Sequence, residues 1–431
     1  MNNCETIKCR LCGTKIQKTF ANLGTQPICE TYLSTDEINK KEIFYPLKVV
    51  FCSKCLLVQL VDSISPQAIF KEYSYFSSHS NGWLKHVEKY VEMIIGKLNL
   101  TSRSFIVEVG SNDGYLLQFF SEKKISTLGV EPATNVAKEA LSKRIPTLVK
   151  FFNIETSKEI VEENGQADLI IANNILAHVP DLNGFVEGLK NLLNPTGVIT
   201  LEFHHLLNLI NRNQFDTISH ERFSYLSFIV VEKLFLSHGL KIFNVEEYPT
   251  HGGSLRIYAC HKSDISKSIT SSVDELKLKE FSQGLTKIET YILFEEKVKE
   301  TKLKILDFFI KLKQNKKIIV GYGAHAEAHT LLNYCGITTD FLEYTVDRNP
   351  YKQEKFLAGV HIPIFNPEKI SDLKPEFIVI LPWNIKKEIM KQMKHVGKWN
   401  GKFIILIPEV KLYNAEGSEI IFNNLQQEIQ K

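Results

Sequence analysis

Apolar runs alternate with helical patterns through the middle of the chain. The run at 105–107 leads through Glu108-Val109-Gly110 into a polar turn, and an apolar helical pattern begins at Tyr115. This order predicts a strand, a tight turn and the start of a helix. Similar runs predict strands at 127–132, 146–153, 168–174 and 198–203. A helix is predicted at 185–193 and a turn at 194–197, before the last of these strands. Strands that alternate with helices are typical of a doubly wound parallel sheet, whose ligand crevice lies at the carboxyl ends of the strands.

The pattern changes on both sides of this central region. Trp83, Val87 and Tyr90 recur at helical spacing and predict a helix before the first strand. After the central region, 263–312 is charged and predicts a solvated helical connector. Its apolar positions are compatible with amphipathic packing, namely Leu276, Leu278, Phe281, Leu285 and Ile288.

A second, smaller α/β domain is predicted at the end of the chain. A strand and glycine turn at 317–326 precede a helix at 327–334, and further strands are expected near 345–346, 362–364, 377–381 and 403–407. We therefore expect four segments: a zinc-binding domain at 1–65, the main α/β domain at 66–262, the connector at 263–312 and the second α/β domain at 313–431.

Bulk properties limit the class of protein. The 431 residues predict two to three domains, and the net charge of +3 comes from mixed charges, which gives no reason to expect a nucleic-acid or membrane partner. The start of the chain has no apolar signal region, and no apolar run approaches the roughly 18 residues of a membrane span. These features favour a cytoplasmic protein, and they leave its oligomeric state open.

The cysteines predict a metal site. Six of the eight cysteines precede residue 56, and four of them form the pairs Cys9-x-x-Cys12 and Cys52-x-x-Cys55. Two such pairs complete a tetrahedral Cys4 zinc site, which has no open position and is therefore expected to be structural. Cys4 and Cys29 are spare thiols that could replace a ligand.

The turn after the first strand has features of a ligand loop. Gly110 and Gly114 let the backbone approach a ligand closely, whereas Glu108 and Asp113 favour a ligand with a cationic amino group over a diphosphate. Glu131 lies 21 residues after Gly110, at the tip of the second predicted strand, where an acid can bind both ribose hydroxyls. Two further strand ends supply an aromatic residue for adenine and an amide, at Phe152 and Asn173.

Polar residues concentrate elsewhere in three stretches. Histidines, acids and an arginine follow the fifth predicted strand at 204–225, and a second group of polar residues lies at 250–256. Such a concentration just past the end of a strand suggests catalytic residues. The loop at 70–80 is rich in tyrosine and serine and suits a wall over a polar ligand. In the second α/β domain, the Gly321-Tyr322-Gly323 turn lacks a third glycine, so a phosphate or sugar-nucleotide contact is more plausible than dinucleotide binding.

The whole chain resembles one family. The loop at 108–114, E-x-G-x-x-x-G, resembles motif I of the class I methyltransferases that use S-adenosylmethionine. The motifs CRLC, CSKC, VEVGSNDGYLL, ANNILAHVPD, HGGSLR and GYGAHAEAHTLLNYCGI together resemble the sugar C-methyltransferases that act on nucleotide-linked 4-keto-6-deoxy sugars. The resemblance implies an N-terminal zinc-binding domain, a class I methyltransferase Rossmann-like sheet and a C-terminal Rossmann-like domain. It places the sugar nucleotide between the last two domains.

Two motifs depart from the family pattern. The family usually shows Y-[DH]-E-H-F, where this chain has Ser219-His220-Glu221-Arg222-Phe223, so the presumed base histidine is replaced by Arg222. An arginine is always protonated and cannot serve as an ordinary general base. The C-terminal loop has Glu327 where a lysine often lies. The scaffold and cofactor motifs keep the family pattern.

Three hypotheses follow for the reaction. The first is C-methylation next to a 4-keto group through an enolate, with His220, Glu221 or His178 as base and Arg222 stabilising the enolate. The second is methylation of another acceptor, such as O-methylation or a sugar with an acidic group. The third is a homologue that does not transfer methyl groups, either epimerase-like or structural.

The candidate site residues follow from these patterns and from the resemblance. The catalytic candidates are His220, Glu221, Arg222, His178 and Tyr75. The cofactor candidates are Glu108, Gly110, Asn112, Asp113, Gly114, Glu131, Phe152 and Asn173. The substrate candidates are Ser78, His204, His251, Tyr322, His325, Arg348 and Lys352, and the zinc ligands are Cys9, Cys12, Cys52 and Cys55.

Overall fold

The structure is a computed structural model that describes residues 7–61, 64–70, 76–79 and 81–420, with only the backbone described at Phe70 and Asn81. The chain forms two compact units. The first unit comprises Met1–Lys18, Phe51–Leu207 and Glu221–Ile288, and the second comprises Thr19–Val50, Asn208–His220 and Glu289–Lys431. The predicted division into four consecutive segments stays a prediction.

The strands are numbered along the chain. They are β1 Lys18–Gln26, β2 Tyr32–Leu33, β3 Tyr45–Phe51, β4 Val58–Leu60, β5 Phe105–Val109, β6 Ser126–Val130, β7 Thr147–Leu148, β8 Ala167–Ile171, β9 Leu193–His204, β10 Ser224–Tyr225, β11 Leu240–Tyr248, β12 Ser254–His261, β13 Ile319–Tyr322, β14 Thr345–Val346, β15 Lys355–Leu357, β16 Pro363–Phe365, β17 Phe377–Ile380, β18 Lys402–Ile405, β19 Lys411–Tyr413 and β20 Glu419–Ile420.

The α-helices are numbered in the same way. They are α1 Pro66–Phe70, α2 Asn81–Leu98, α3 Leu117–Glu122, α4 Thr134–Ser142, α5 Ile154–Asn164, α6 Leu182–Leu192, α7 Leu206–Asn211, α8 Phe228–Ser237, α9 Ser271–Ser282, α10 Ile288–Gln314, α11 Ala326–Cys335, α12 Lys369–Leu373 and α13 Lys386–Gln392. Short 3-10 helices occur at Ser77–His79, Leu176–His178, Phe215–Thr217, Thr250–Gly252, Trp383–Ile385 and Lys394–Trp399.

The first unit is built on a seven-stranded sheet in the order β11-β12-β9-β8-β5-β6-β7. The strands β9, β8, β5, β6 and β7 pair in parallel, whereas β12 and β11 are antiparallel. Apart from Glu108 and Asp168, the central strands β5 and β8 consist of apolar residues, and four of the five residues in each strand are buried, as expected for parallel strands covered on both faces. The order of the strands reverses beside β5, so the crevice expected for a ligand lies at the carboxyl ends of β5 and β8.

Helices pack on this sheet through their apolar faces, and side-chain caps fix where some of them begin. Val87, Tyr90 and Ile94 of α2 are buried in a core cluster with Ile106 of β5, as the helical spacing predicts. Helix α6 begins where the Asp181 side chain accepts a hydrogen bond from the Gly184 amide. The same unit contains a short antiparallel pair of β4 with β10.

The second unit has a nine-stranded sheet in the order β2-β15-β16-β14-β13-β17-β18-β19-β20. Its strands β14, β13, β17 and β18 are parallel, and they bury apolar residues such as Val320, Ile378 and Phe403 in one core cluster. Helix α11 follows β13 through the Gly321–Gly323 turn and ends at Gly336, whose left-handed conformation closes the helix. These parallel strands lie within 313–431, where the sequence predicts strands of a second α/β domain.

Three local predictions from the sequence are wrong. The third central strand is only β7, Thr147–Leu148, because the chain leaves the sheet edge and the Asn153 side chain caps α5. The turn expected at 194–197 lies within β9 as an irregularity between the pairs of Ala167 and Leu169. The connector is not a solvated one, since α10 buries eight residues from Tyr291 to Leu312.

The amphipathic pattern of the connector is right only in part. Leu276 and Leu285 are buried, whereas Leu278 and Phe281 are 67% and 64% exposed. On α9, Glu280 is buried although it is charged, and its carboxylate accepts from the amides of Phe228 and Ile229 at the start of α8. None of the helices in the described part of the chain is both long and apolar enough to cross a membrane.

Candidate active site

Four cysteines of the first unit lie together. The Sγ atoms of Cys9, Cys12, Cys52 and Cys55 are within 4.8 Å of one another. The Cys9–Cys55 distance is 3.4 Å and the Cys12–Cys52 distance is 3.6 Å, both far longer than the roughly 2.05 Å of a disulfide. A tetrahedral zinc ion about 2.3 Å from each sulfur separates its ligands by roughly 3.8 Å. The cysteine cluster therefore fits zinc, and all four predicted ligands take part.

The glycine loop begins where β5 ends. Gly110 has a φ of +73°, and a Cβ built there would lie 2.1 Å from the Ile175 side chain, so glycine is required on both counts. Asn112 has a φ of +48°, and its side chain accepts a hydrogen bond from the Ser77 amide. These contacts hold the turn close under the residues that follow β8.

Three acids surround this loop. Glu108 is completely buried, and burial raises its pKa well above the ordinary value. Asp113 is also fully buried, and its Oδ2 accepts from the Ser78 amide and from Lys143. Glu131 accepts from the amides of Asn112 and Ala133, and burial raises its pKa. The second strand tip is thus fixed against the glycine loop.

Polar atoms at these strand ends lack partners. Among the described residues, neither Oδ1 of Asp113 nor either side-chain polar atom of Asn173 has a hydrogen bond, although all are buried. Buried polar groups are almost always satisfied, so these atoms indicate a polar ligand. Buried carboxylates favour a cationic one, and S-adenosylmethionine has both an ammonium and a sulfonium group. The loop therefore fits this cofactor.

Phe152 lies in a different setting from the one predicted. It is half-buried in the loop before α5, and its ring packs edge-on against Phe185 of α6, with the centroids 5.5 Å apart. Its predicted contact with adenine stays a prediction. Gly114, the second loop glycine, has a φ of +73° and packs against Ile145 and Ala140.

Histidines and an arginine gather beyond β8 and β9 of the first unit. Arg222 Nη1 lies 2.7 Å from Nδ1 of His204, the last residue of β9. His178, in the 3-10 helix after β8, places Nδ1 2.7 Å from the carbonyl oxygen of Glu221. The ring of His251 stacks on His204 with centroids 5.1 Å apart. Four of the predicted residues thus form one cluster.

Two histidines of this cluster have strongly lowered pKa values. Burial and the charge of Arg222 lower the pKa of His178 to about 3. Burial, again with Arg222, lowers the pKa of His204 well below its ordinary value. Within the described ranges Arg222 makes no ion pair, and its one hydrogen-bond partner is the His204 ring. The cluster therefore holds neutral imidazoles around an uncompensated cation, which suits a ligand that carries or develops negative charge.

A buried network supports the cluster, and the sequence analysis missed it. Glu202 of β9 accepts from Arg256 at 2.8 Å, from Thr250 at 2.8 Å, and pairs with His86 at 3.0 Å. Burial opposes ionisation of Glu202, but His86 and Arg256 outweigh it and lower the pKa to about 2. Thr250 precedes His251, so the network fixes the loop that carries the stacked ring. An acid within an apolar strand was the available signal.

The structure says less about the roles of the remaining candidates in the first unit. Tyr75 lies outside the described residues. The backbone of Ser78 binds Asp113, so its contribution to the loop is through the main chain. The Glu221 carbonyl orients His178, and the Glu221 side chain is buried. Their catalytic or substrate roles stay predictions.

The candidates of the second unit lie around the Gly321–Gly323 turn, except His220. Lys352 donates to the Ala324 carbonyl at 2.8 Å and pairs with Glu30 at 3.0 Å. His325 lies 3.3 Å from Glu327, which occupies the usual lysine position. The Tyr322 hydroxyl donates to Gln392, and Arg348 is exposed.

His220 occupies a separate part of the second unit. Its Nε2 donates to the Tyr45 carbonyl at 3.3 Å, and burial lowers its pKa. The structure thus gives His220 a backbone partner, and its role as a base stays a prediction.

Comparison with known proteins now bears on this geometry. The chain is 32% identical over 411 residues to C-methyltransferase NovU from Streptomyces niveus, which covers 95% of this chain and 98% of that protein. The chain belongs to the C-methyltransferase family. Three family profiles match this C-methyltransferase in order: a zinc-binding domain at 9–70, a methyltransferase domain at 107–199 and the C-methyltransferase C-terminal domain at 249–408.

Other similarities of this C-methyltransferase are narrower. It is 24% identical over 106 residues to a ubiquinone biosynthesis O-methyltransferase from Rhodopseudomonas palustris, covering 24% of this chain and 41% of that protein. An S-adenosylmethionine-dependent methyltransferase structure from Clostridium acetobutylicum aligns at 12% identity and a TM-score of 0.34, covering 41% of this chain and 92% of the other.

The matched profiles and the relative confirm several predictions together. The fold is α/β, with a class I methyltransferase sheet, an N-terminal zinc-binding domain and a C-terminal domain. The protein is an S-adenosylmethionine-dependent methyltransferase of the C-methyltransferase family. S-adenosylmethionine and zinc are its cofactors. That the loop at 108–114 and the four cysteines hold them stays a prediction, which the geometry of both sites fits.

Proposed function

We propose that this C-methyltransferase acts on a nucleotide-linked 4-keto-6-deoxy sugar and methylates the carbon next to the keto group, C3, through an enolate. The observation that carries the proposal is the uncompensated Arg222 guanidinium among neutral histidines, at the carboxyl edge of the sheet that bears the cofactor loop. The family supplies the reaction class, and the electrostatics of the cluster support the kind of acceptor.

Carbon methylation requires a carbon nucleophile. A keto group makes the proton on the adjacent carbon acidic, and removal of that proton places negative charge on the keto oxygen. Groups that stabilise such an oxyanion are worth most where they are held in place before the reaction and shielded from water. Arg222 meets the first condition, since the His204 ring holds its half-buried guanidinium, and no acid within the described ranges pairs with it.

A sugar hydroxyl would make a different demand on the site. Methylation of oxygen needs a deprotonated hydroxyl but no enolate, and no charge then develops on a neighbouring carbonyl. The positive charge of Arg222 stabilises a deprotonated hydroxyl as well, so this charge alone does not separate the two acceptors. Membership of the C-methyltransferase family favours the keto sugar, because carbon methylation needs a carbon nucleophile.

The nucleotide part of the acceptor rests on the resemblance of the sequence motifs. We keep Tyr322, His325, Arg348 and Lys352 as proposed contacts for the nucleotide sugar, and Ser78 and His251 as proposed contacts for the sugar. Lys352 already pairs with Glu30, so among these four the exposed Arg348 is the one we propose for a phosphate. Because four thiols form a metal site rather than disulfides, we also propose that the enzyme works in the cytoplasm.

The test is a comparison of matched acceptors. The protein is incubated with S-adenosylmethionine and a panel of nucleotide-linked 4-keto-6-deoxy sugars, each beside the same sugar with its keto group reduced to a hydroxyl. We expect a mass gain of one methyl group only with keto sugars, and a carbon-13 shift typical of a carbon-bound methyl. Equal methylation of the reduced sugars, or an oxygen-bound methyl, would refute the proposal.

A further inference from the structure

Hydrogen bonds assign the proton positions of two histidines in the cluster. His178 Nδ1 lies 2.7 Å from the Glu221 carbonyl oxygen, which can only accept. Nδ1 of His178 must therefore carry a proton. In the neutral ring the lone pair is then on Nε2, the nitrogen that can act as a base.

The second ring has the opposite arrangement. His204 Nδ1 lies 2.7 Å from Nη1 of Arg222, and a guanidinium can only donate. Nδ1 of His204 must therefore accept, which places the proton of the neutral ring on Nε2. His204 thus presents an N–H donor, whereas His178 presents a lone pair.

The environment keeps both rings in their neutral forms. Burial comes first among the causes that lower both histidine pKa values, and the Arg222 charge comes second. The cluster is also compact, because His178 and His204 influence each other and His251 stacks on His204. A neutral histidine held as an N–H donor is an established way to polarise a carbonyl group.

We propose that His178 and His204 perform opposite halves of the enolisation: Nε2 of His178 removes the C3 proton, and the Nε2–H of His204 donates to the keto oxygen. Besides the positive charge that it contributes, Arg222 is then a positioning residue, because it fixes the tautomer of His204 by donating to its Nδ1. This inference rests on the proposed function, because it requires a keto group on the acceptor. It gives Arg222 a role that an arginine can perform, in place of the base role that it cannot.

Enolisation and methyl transfer together release one proton and move one methyl group. The C3–H bond breaks, its proton moves to Nε2 of His178, and its electron pair forms a C3–C4 double bond as the keto oxygen becomes an oxyanion. Bound S-adenosylmethionine supplies an electrophilic methyl group. The C3 carbon forms a bond to that methyl as the C–S bond breaks, and the carbonyl returns. His178 then releases its proton to solvent, so one proton leaves for each methyl transferred.

The negative charge of the oxyanion also helps His178 to accept its proton. Arg222 lowers the pKa of His178 in the free protein, and an adjacent oxyanion offsets that positive charge. The basicity of His178 therefore rises as the enolate forms. The same arginine thus keeps the base unprotonated before the reaction and is balanced by the charge that the reaction creates.

Nitrogen-15 NMR of the full-length, zinc-loaded protein with labelled histidine tests the tautomers directly. The resonances are assigned by their loss in His178→Asn and His204→Asn, with His238→Gln as a control that leaves both signals in place. At pH 7 we expect a protonated Nδ1 in His178 and a protonated Nε2 in His204. We also expect the His204 signals to lose this single tautomer in Arg222→Leu and to keep it in Arg222→Gln, whose amide still donates. An imidazolium form, or a proton on Nδ1 of His204, overturns the inference.

Exchange of the C3 proton in deuterated water, with S-adenosylhomocysteine in place of the methyl donor, tests the catalytic roles. His204→Asn keeps an acceptor near Nδ1 but no donor at Nε2, and we expect exchange to fall about 100-fold. His204→Gln keeps an amide donor near Nε2, and we expect a loss of about 10-fold or less. Equal losses in the two variants would overturn the role of His204. In that case, methylation of keto sugars by the wild-type protein would still uphold the proposed function. The proposed function itself would be refuted if the wild-type protein neither exchanged the C3 proton of any keto sugar nor methylated any keto sugar.

Discussion

Replacing Gly110 with alanine tests the cofactor loop in two separable ways. The residue has a φ of +73°, a conformation that costs an alanine roughly 1–2 kcal/mol. The added Cβ also lies 2.1 Å and 2.4 Å from two atoms of Ile175, and overpacking of this kind costs about 1–3 kcal/mol. We therefore expect Gly110→Ala to lower the free energy of unfolding by about 2–5 kcal/mol.

The same change should weaken the cofactor site, because the loop must move to relieve the overlap. We expect the affinity for S-adenosylhomocysteine, measured by calorimetry, to fall at least tenfold, about 1.4 kcal/mol. Gly336→Ala is the matched control, since Gly336 has a φ of +70° but open space around its Cβ position. It should show the backbone cost alone and bind normally.

A double variant separates the two costs. Ile175→Ala removes the side chain that the added Cβ would meet, so combining it with Gly110→Ala should recover about 1–3 kcal/mol of stability relative to the sum of the single changes. The cost of the positive φ should remain. If Gly110→Ala matched Gly336→Ala in stability and kept full cofactor affinity, the close approach of this loop to Ile175 would be wrong.

Further predictions concern stability. Cys9→Ser should lower the zinc content measured by elemental analysis below one per chain and destabilise the fold, whereas Cys29→Ala should keep one zinc. Glu202→Gln should cost about 3–5 kcal/mol of unfolding free energy in denaturant, because it removes the nearest carboxylate partner of the buried Arg256 and leaves Glu246 at 4.0 Å. Glu247→Gln breaks an exposed ion pair and should cost less than about 1 kcal/mol. Burial lowers the pKa of His329 from 6.5 to about 3, so the unfolded chain binds a proton first as pH falls, and wild type should lose about 2 kcal/mol more than His329→Leu between pH 7 and pH 5.

Local spacing made the cofactor and metal sites predictable. The four zinc ligands come as two pairs, each with its ligands three positions apart, and Glu131 follows Gly110 at the distance set by one strand-helix-strand unit. Such distances along the chain are fixed by the length of secondary-structure elements, so they can be read from the sequence before the fold is known. The loop acids were predicted for the same reason.

Long-range packing made other features unpredictable. The pair of His86 with Glu202 joins residues 116 positions apart, and no local pattern marks the histidine. The tautomer of His204 depends on Arg222, which reaches it from a separate loop. The lengths of edge strands were also missed, since β7 has a single neighbour and ends where Asn153 caps a helix. On α9, burial of Glu280 and exposure of Phe281 reverse the order that hydrophobicity predicts.

The most direct test of the enolate route is the fate of deuterium at C3. A nucleotide-linked 4-keto-6-deoxy sugar deuterated at C3 is converted by the enzyme with S-adenosylmethionine, and the product mass is measured. The account predicts that every molecule that gains a methyl group has lost its C3 deuterium, because the new bond takes that position. A methylated product that retains the C3 deuterium would contradict it.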